Sequence, residues 1–476
     1  MKTKKLTAAF AVCAMSLLAF AAAVHAEGEV AQIGKTKYET LQAAVDAAES
    51  GDTITLINDL TDNAKLSEPV KTAVYDNFTL NLNGYTIDVT TTDGRSLYAI
   101  DNYGTLTITD SSQEQDGLIT ARGVENFGTM TITGGTIVSR DSNGGGACVW
   151  NEGDLSITGG TFKVTGAEVN NSAAMPISNN GNNAKAKITG GNFVSKYAYI
   201  FNQNGGQMVV EGITMEKPED AAEYWTTVKC YTGSVVTLNN VTIHAKNSGG
   251  IEAAGGTVNV NNCTITSSGK NESSSWNAVC VSASSGGVAN INGGTYESFK
   301  YGFYVFNSGG TINIEGDVKA SAEVGVLKTD KAELRDSIIN VAGGVYKGVI
   351  SEGKETEINI SGGSYSTDVS QYLAPDTAGG QGYDGMYNVI SSKNKATKTG
   401  TYRTAEGDDN KYDQMWLFGA DGISGSVTYN VSDGTHDKDF TYKYATIDGI
   451  TKLGLIVTDI PSAQTVTVEL GGQNNE

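Results

Sequence analysis

The side chains able to do acid–base or metal chemistry are few and scattered. Beyond the N-terminal 26 residues the histidines are His244 and His436, and the arginines are Arg95, Arg122, Arg140, Arg335 and Arg403. Strand alternation sets none of these arginines among acids on its own strand face. Asp408-Asp409 is a paired acid outside the repetitive part of the chain. Asp433-Gly-Thr-His-Asp-Lys-Asp439 resembles a calcium loop loosely, without the ligand order or closing Glu of an EF-hand, and reads as a solvated hairpin turn. No Ser-His-Asp set, zinc spacing, phosphate loop or cofactor motif is legible. An acid pair formed between distant segments stays open, because sequence does not show such neighbours. One constellation points to binding: Trp150, Phe201 and Phe306, each just before an Asn, with Tyr199 and Tyr304 three before it. Alternation puts Ile100, Val124, Val149, Ile200 and Val305 inside and those rings outside, in a column that Asp101 and Glu125 begin. Outward rings on a rigid face could stack on sugars or anchor a protein partner. Alternatively, long loops fold over that face and bury them.

The elements that position these residues come from a repeat. Gly128-Thr-Met-Thr-Ile-Thr-Gly-Gly-Thr-Ile-Val-Ser recurs as Gly153-Asp-Leu-Ser-Ile-Thr-Gly-Gly-Thr-Phe, Gly287-Val-Ala-Asn-Ile-Asn-Gly-Gly-Thr-Tyr and Thr356-Glu-Ile-Asn-Ile-Ser-Gly-Gly-Ser-Tyr. Copies start roughly 20–30 residues apart, the range of a solenoid. One short strand cannot bury its inward face alone, whereas stacked coils can. Thr129–Thr133 is predicted as one strand with Met130 and Ile132 inward, Gly134-Gly135 as a turn, and Thr136–Ser139 as the next strand. A variable loop then leads to a third strand ending in Asn. That Asn recurs as Asn102, Asn126, Asn151, Asn202 and Asn307, which predicts a stacked amide ladder. The longest excursions are residues 166–183 and 215–226. The four cysteines beyond the N-terminal 26 residues, Cys148, Cys230, Cys263 and Cys280, are expected as buried free thiols, because coils rise only ~4.8 Å each and cysteines several coils apart cannot bridge.

The expected division is residues 1–26 signal peptide, 27–76 N-terminal cap, 77–373 coils, 374–410 linker and 411–476 a small β-sandwich-like module. Lys2, Lys4 and Lys5, the apolar Leu6–Ala23 and Val24-His25-Ala26 form the export signal. Leu41, Val45 and Ala48 are spaced as an amphipathic helix with Thr40 as N-cap and Gly51 as stop, suited to covering an open first coil. Removing the signal leaves 30 basic against 53 acidic residues, a net of −23. With no basic patch, nucleic acid is excluded as a partner, and polyanionic pectin is repelled unless calcium bridges it. No later run is long enough to span a bilayer.

The start Tyr-x-Thr-Leu-Gln-Ala-Ala-Val-Asp-Ala-Ala, followed by Gly-Asp-Thr-Ile-x-Leu, and the coil pattern together resemble the right-handed parallel β-helix of the pectate-lyase-like superfamily. Ile360-Ser-Gly-Gly-Ser-Tyr-Ser-Thr-Asp-Val-Ser-Gln-Tyr-Leu373 is similar to a repeat of secreted proteins from anaerobic Gram-positive bacteria. The resemblance covers most of residues 36–373 and implies an all-β solenoid. Lyases of that superfamily need clustered acids for calcium and an Arg or Lys as base, and its polygalacturonases need paired Asp near Gly-His-Gly. Those motifs are missing here. The expectation is an exported, non-catalytic β-helix at the cell surface or outside it, a binding or adhesion protein with a glycan as favoured ligand. Trp150, Tyr199, Phe201, Tyr304 and Phe306 are its candidate ligand-binding residues, and oligomeric state is not read. The alternatives are a polysaccharide lyase or glycoside hydrolase with an unrecognised site, and a passive stalk carrying a functional C-terminal module.

Overall fold

The computed structural model describes residues 28–60, 69–89, 97–140, 146–165, 175–221, 225–269 and 278–375, and beyond them chiefly the backbones of paired strands. The export signal, Arg95 and Asp408-Asp409 lie outside the described residues. The chain is an all-β parallel solenoid of about ten turns. One face is a parallel sheet of twelve strands, running from Val70–Lys71 through Tyr98–Asn102, Gly123–Asn126 and Ala147–Asn151 to Ile350–Ser351. We call it the ladder face. A second, broad face stacks Asp52–Leu56, Asn77–Asn81, Thr105–Thr109, Thr129–Ile132 and their successors as far as Gly363–Tyr365. A short third face begins at Thr86–Asp88 and ends at Asn192–Val194. In three successive coils the second and third strands fuse into one long strand, Thr257–Ser267, Gly287–Ser298 and Gly310–Ala322.

Alternation dictates these elements. In Thr129–Ile132, Met130 and Ile132 are fully buried while their neighbours face out. Gly135 then turns the chain at φ +80°, a region open mainly to glycine. Rows of Val, Leu and Ile from every coil meet in one continuous core. Aromatics enter it in register: Phe162 stacks on Phe193 at 5.3 Å and Tyr346 on Tyr365 at 5.0 Å. The Gly-Gly-x-Tyr motif explains how a phenol tolerates the core. Tyr296, Tyr346 and Tyr365 each donate to the carbonyl three residues back, that of Gly293, Gly343 and Gly362, at 2.7–3.0 Å. A buried hydroxyl is thereby never left without an acceptor.

At the N-terminal end Thr40 accepts from the Ala43 N–H at 3.1 Å and caps the helix Leu41–Ala47. The helix buries Leu41, Ala44 and Val45 in the same core. Parallel coiling already starts at Asp52, one coil before the expected Asn77. Part of the segment read as a linker is ordered: Thr377–Gln381 and Tyr387–Ser391 form an antiparallel hairpin that pairs with Gly363–Tyr365. Beyond it, strands between Ala396 and Leu470 pair antiparallel in two four-stranded sets. Gly434–Lys438, expected within a hairpin turn, is a strand opposite Val427–Val431.

Candidate functional site

The predicted aromatic column is not solvent-facing. Tyr199 is fully buried in the central core, stacked near Phe193 at 6.3 Å, with its hydroxyl donating to the Glu216 carbonyl. Phe201 is 5 % exposed and packs with Trp150, Trp225, Tyr231 and Met175 in a small cluster outside the ladder face. Trp150 is half-buried, its indole N–H donating to Glu152 at 2.9 Å. Tyr304 and Phe306 are each 3 % exposed, packed with Val279 and Tyr301, and Tyr304 donates to Asp330. The rings pack on one another and on neighbouring strand residues, with Ala198 and Trp225 added from outside the strands. Register supplies a second correction. Phe201 lines up with Lys229, Glu252, Ser282, Tyr304 and Lys328. Asn307 is an exposed turn residue outside the ladder, so counting back from it displaced Phe306 from the column and put Val305 in the ladder position.

The buried ladder is real for the other asparagines, and Asn179 belongs to it. Thr72 donates to Asn102 at 2.9 Å, and Asn102, Asn126, Asn151, Asn179 and Asn202 follow, each donating to the next at 2.6–2.7 Å. All five asparagines are fully buried. Backbone carbonyls fix their orientation: Asn151 also donates to Gly153 and Lys185 at 2.9 and 3.0 Å. A glycine two residues after the Asn lets the corners stack, since a Cβ on Gly153 would lie 2.1 Å from the Gly128 carbonyl. Asn179 escaped notice because Met175–Asn180 sits inside a stretch read as loop. After Asn202 the column continues as Cys230, Ala253, Ala283, Val305 and Thr329. The four cysteines are free and buried, and burial pushes Cys148 up to about 12 and Cys230 up to about 11. Such thiols are inert.

Two constellations face outward. The first is the acid pair that sequence could not exclude. Asp101 and Glu125 stand opposite each other on successive strands, near enough for each carboxyl to bear on the other. Burial, then the Asp101 charge, raises Glu125 to about 7, against the pull of nearby Arg122. Burial also raises Asp101, against Lys71. The guanidinium of Arg122 lies 5.2 Å from the Tyr98 ring centre. This corrects the expectation that no arginine lies among stacked acids.

The second constellation runs along the broad face, whose outer side forms two adjoining grooves of about 600 and 540 Å³ that meet at Thr237. In the first, Lys185 and Lys187 follow Asp154 and Ser156, with Val209 and Val235 beyond. The second carries an exposed amide row. Asn259 donates to Thr237 at 3.4 Å; Asn290, Asn313, Asn340 and Asn359 each donate to the asparagine one coil earlier at 2.9–3.1 Å. These side chains are half-buried. Beside them runs a second row in register: Val235, Thr257, Val288, Thr311 and Ile338. The sequence singles out none of them, although Asn290 and Asn359 lie in the repeat copies given above. The signal was there, as Asn at the middle outward position of each Asn-x-Asn or Ile-Asn-Ile copy.

An amide has two donors and two acceptor sites. Asn290, Asn313 and Asn340 each spend one of each on the row, and among the described residues none of the three amides bonds to backbone. One donor and one acceptor per coil remain for water or a ligand, repeating every ~4.8 Å. Among the described residues no group of three or more His, Cys, Asp or Glu could hold a metal, and no helix is long and apolar enough to cross a membrane. No family model, curated protein or solved structure matches this chain.

Proposed function

We propose that this protein is an exported, non-catalytic β-solenoid of the right-handed, pectate-lyase-like kind that binds glycans outside the cell with its broad face. The observation that carries the reading is the grooved face with unspent amide valences, presented on a scaffold too regular to rearrange. Sugars are recognised by many weak, directional hydroxyl contacts, and a preorganised array makes them at low entropic cost. The helix Leu41–Ala47 serves as the N-terminal cap, and the C-terminal antiparallel strands as a sandwich-like module.

The acid pair supports the non-catalytic reading. Hydrolysis with retention needs carboxyls ~5–5.5 Å apart and inversion needs more, to admit the sugar or a water. Asp101 and Glu125 hold opposed positions on neighbouring strands ~4.8 Å apart, short of both distances. One observation favours the second reading, a lyase or hydrolase: Arg122 near Glu125, a carboxyl raised to about 7 and opposed by Asp101, is an acid–base set. A glycan array probed with the protein, run beside assays for reducing and unsaturated sugar ends, separates the two. Binding without product supports the proposal. Product release abolished by Glu125→Gln overturns it, and silence in both assays overturns it too.

A further inference from the structure

We infer that the ligand is an uncharged, extended β-linked polysaccharide lying lengthwise on the Asn259–Asn359 row, one sugar per coil. The inference deepens the glycan-binding proposal and rests on it. Three features of the second groove select this class. The first is spacing. An equatorially linked pyranose chain advances per sugar by close to the coil rise of ~4.8 Å. One amide therefore meets a hydroxyl-bearing edge of each successive sugar, the two edges alternating along the chain, whereas a coiling α-linked chain or a branched glycan loses register after one or two.

The second feature is polarity on the groove's flank. Outside the groove lining, on the far side of the amide row, runs the Val235, Thr257, Val288, Thr311, Ile338 row, three of its five residues aliphatic. A pyranose is amphipathic in the same sense, with C–H surface on one face and hydroxyls on its edges. The aliphatic row takes the first and the amides the second.

The third is charge. Glu315 and Glu357 border the row, and the groove lining around the amides contains no Lys or Arg among the described residues. On a chain of net charge −20 such a groove repels uronic-acid polymers and sulfated glycans. A hydroxyl accepts and donates alike. The amides, unpinned by backbone, can turn together to suit either sense of a bound chain.

Titration calorimetry with cello-oligosaccharides of two to six sugars tests this, with polygalacturonate and malto-oligosaccharides as comparators. Affinity is expected to climb with each added sugar and level off near five, the number of asparagines in the row. The double variant Asn290→Ala/Asn313→Ala is expected to lose at least tenfold affinity for cellopentaose with an unchanged circular dichroism spectrum. Val288→Asp, on the neighbouring row, gives an independent second loss. Length-independent binding, preference for polygalacturonate or maltohexaose, or affinity untouched by these variants overturns the inference and leaves glycan binding standing. Absence of binding to any glycan on the array overturns both.

Discussion

The two asparagine rows are made of the same side chain at the same coil spacing, yet they do different work. The buried row, Asn102 to Asn202, saturates its amides with each other and with backbone carbonyls of the corner. The outer row, Asn259 to Asn359, saturates about half. Which side of the strand an asparagine occupies decides this, because strand side chains alternate faces. Inward, an unmade hydrogen bond costs the desolvation of the group and is selected against. Outward, water fills the remaining valences at little cost and can be displaced by a ligand. The direction of donation differs too. Buried amides donate toward the C-terminal end and outer amides toward the N-terminal end. Backbone acceptors impose the first orientation, and none of those found constrains the second.

The comparison breaks most readily at Asn151. Asn151→Ala strands the Asn126 N–H and the Asn179 carbonyl oxygen in a dry corner, an expected loss of about 2–3 kcal/mol in chemical unfolding. A loss under ~0.5 kcal/mol would mean that water enters the corner, and the saturated-row argument fails. Cys230 tests why the row stops. Its thiol contacts the Ser234 and Thr257 carbonyls at 3.3 and 3.4 Å, and Ala253 above it offers no amide. Cys230→Asn should cost about 1–2 kcal/mol through crowding and an unmatched rung. A stabilised variant would show that the ladder's end is not set by its neighbours.

Glu125 gives a pH signature on the outer side of the ladder face. Folding holds its proton up to about 7, whereas the ordinary carboxyl sits near 4.5. Between those values the folded chain binds a proton that the unfolded chain has released. Stability therefore falls as pH rises through that window. Glu125→Gln should raise the melting temperature at pH 8 and leave it nearly unchanged at pH 4. Equal shifts at both would show that the pair does not share a proton. The smallest effect belongs to Asn313→Ala in the outer row, within about 0.5 kcal/mol of the parent, as befits a half-exposed side chain. A loss approaching that of Asn151→Ala would make the outer row structural and remove the main reason to see a site there.

Much of the scaffold was legible. The alternation at Thr129–Ile132, the Gly134-Gly135 turn, the Thr40 cap and four of the five expected ladder asparagines follow from local rules about strands, turns and helix ends. Inward thiols followed as well. Less of the site was legible. Trp150, Phe201 and Tyr304 stand outward from the sheet as expected, but the way they pack on one another, on Trp225 and on Tyr301 follows no period. Asp101 was aligned with Glu125, yet nothing in either segment told how close or how dry the pair would be.

Sequence alone determined that this chain coils, which side chains line its interior, and where it turns, because each is settled within a few residues by sterics and by the period of two. Tertiary structure decided the rest: that Asn179 joins the ladder and Asn307 does not, that Arg122 lies near Glu125, and that the outer asparagines form a row. Cross-coil register depends on how many residues each loop consumes, and that count is resolved only when neighbouring backbones hydrogen-bond.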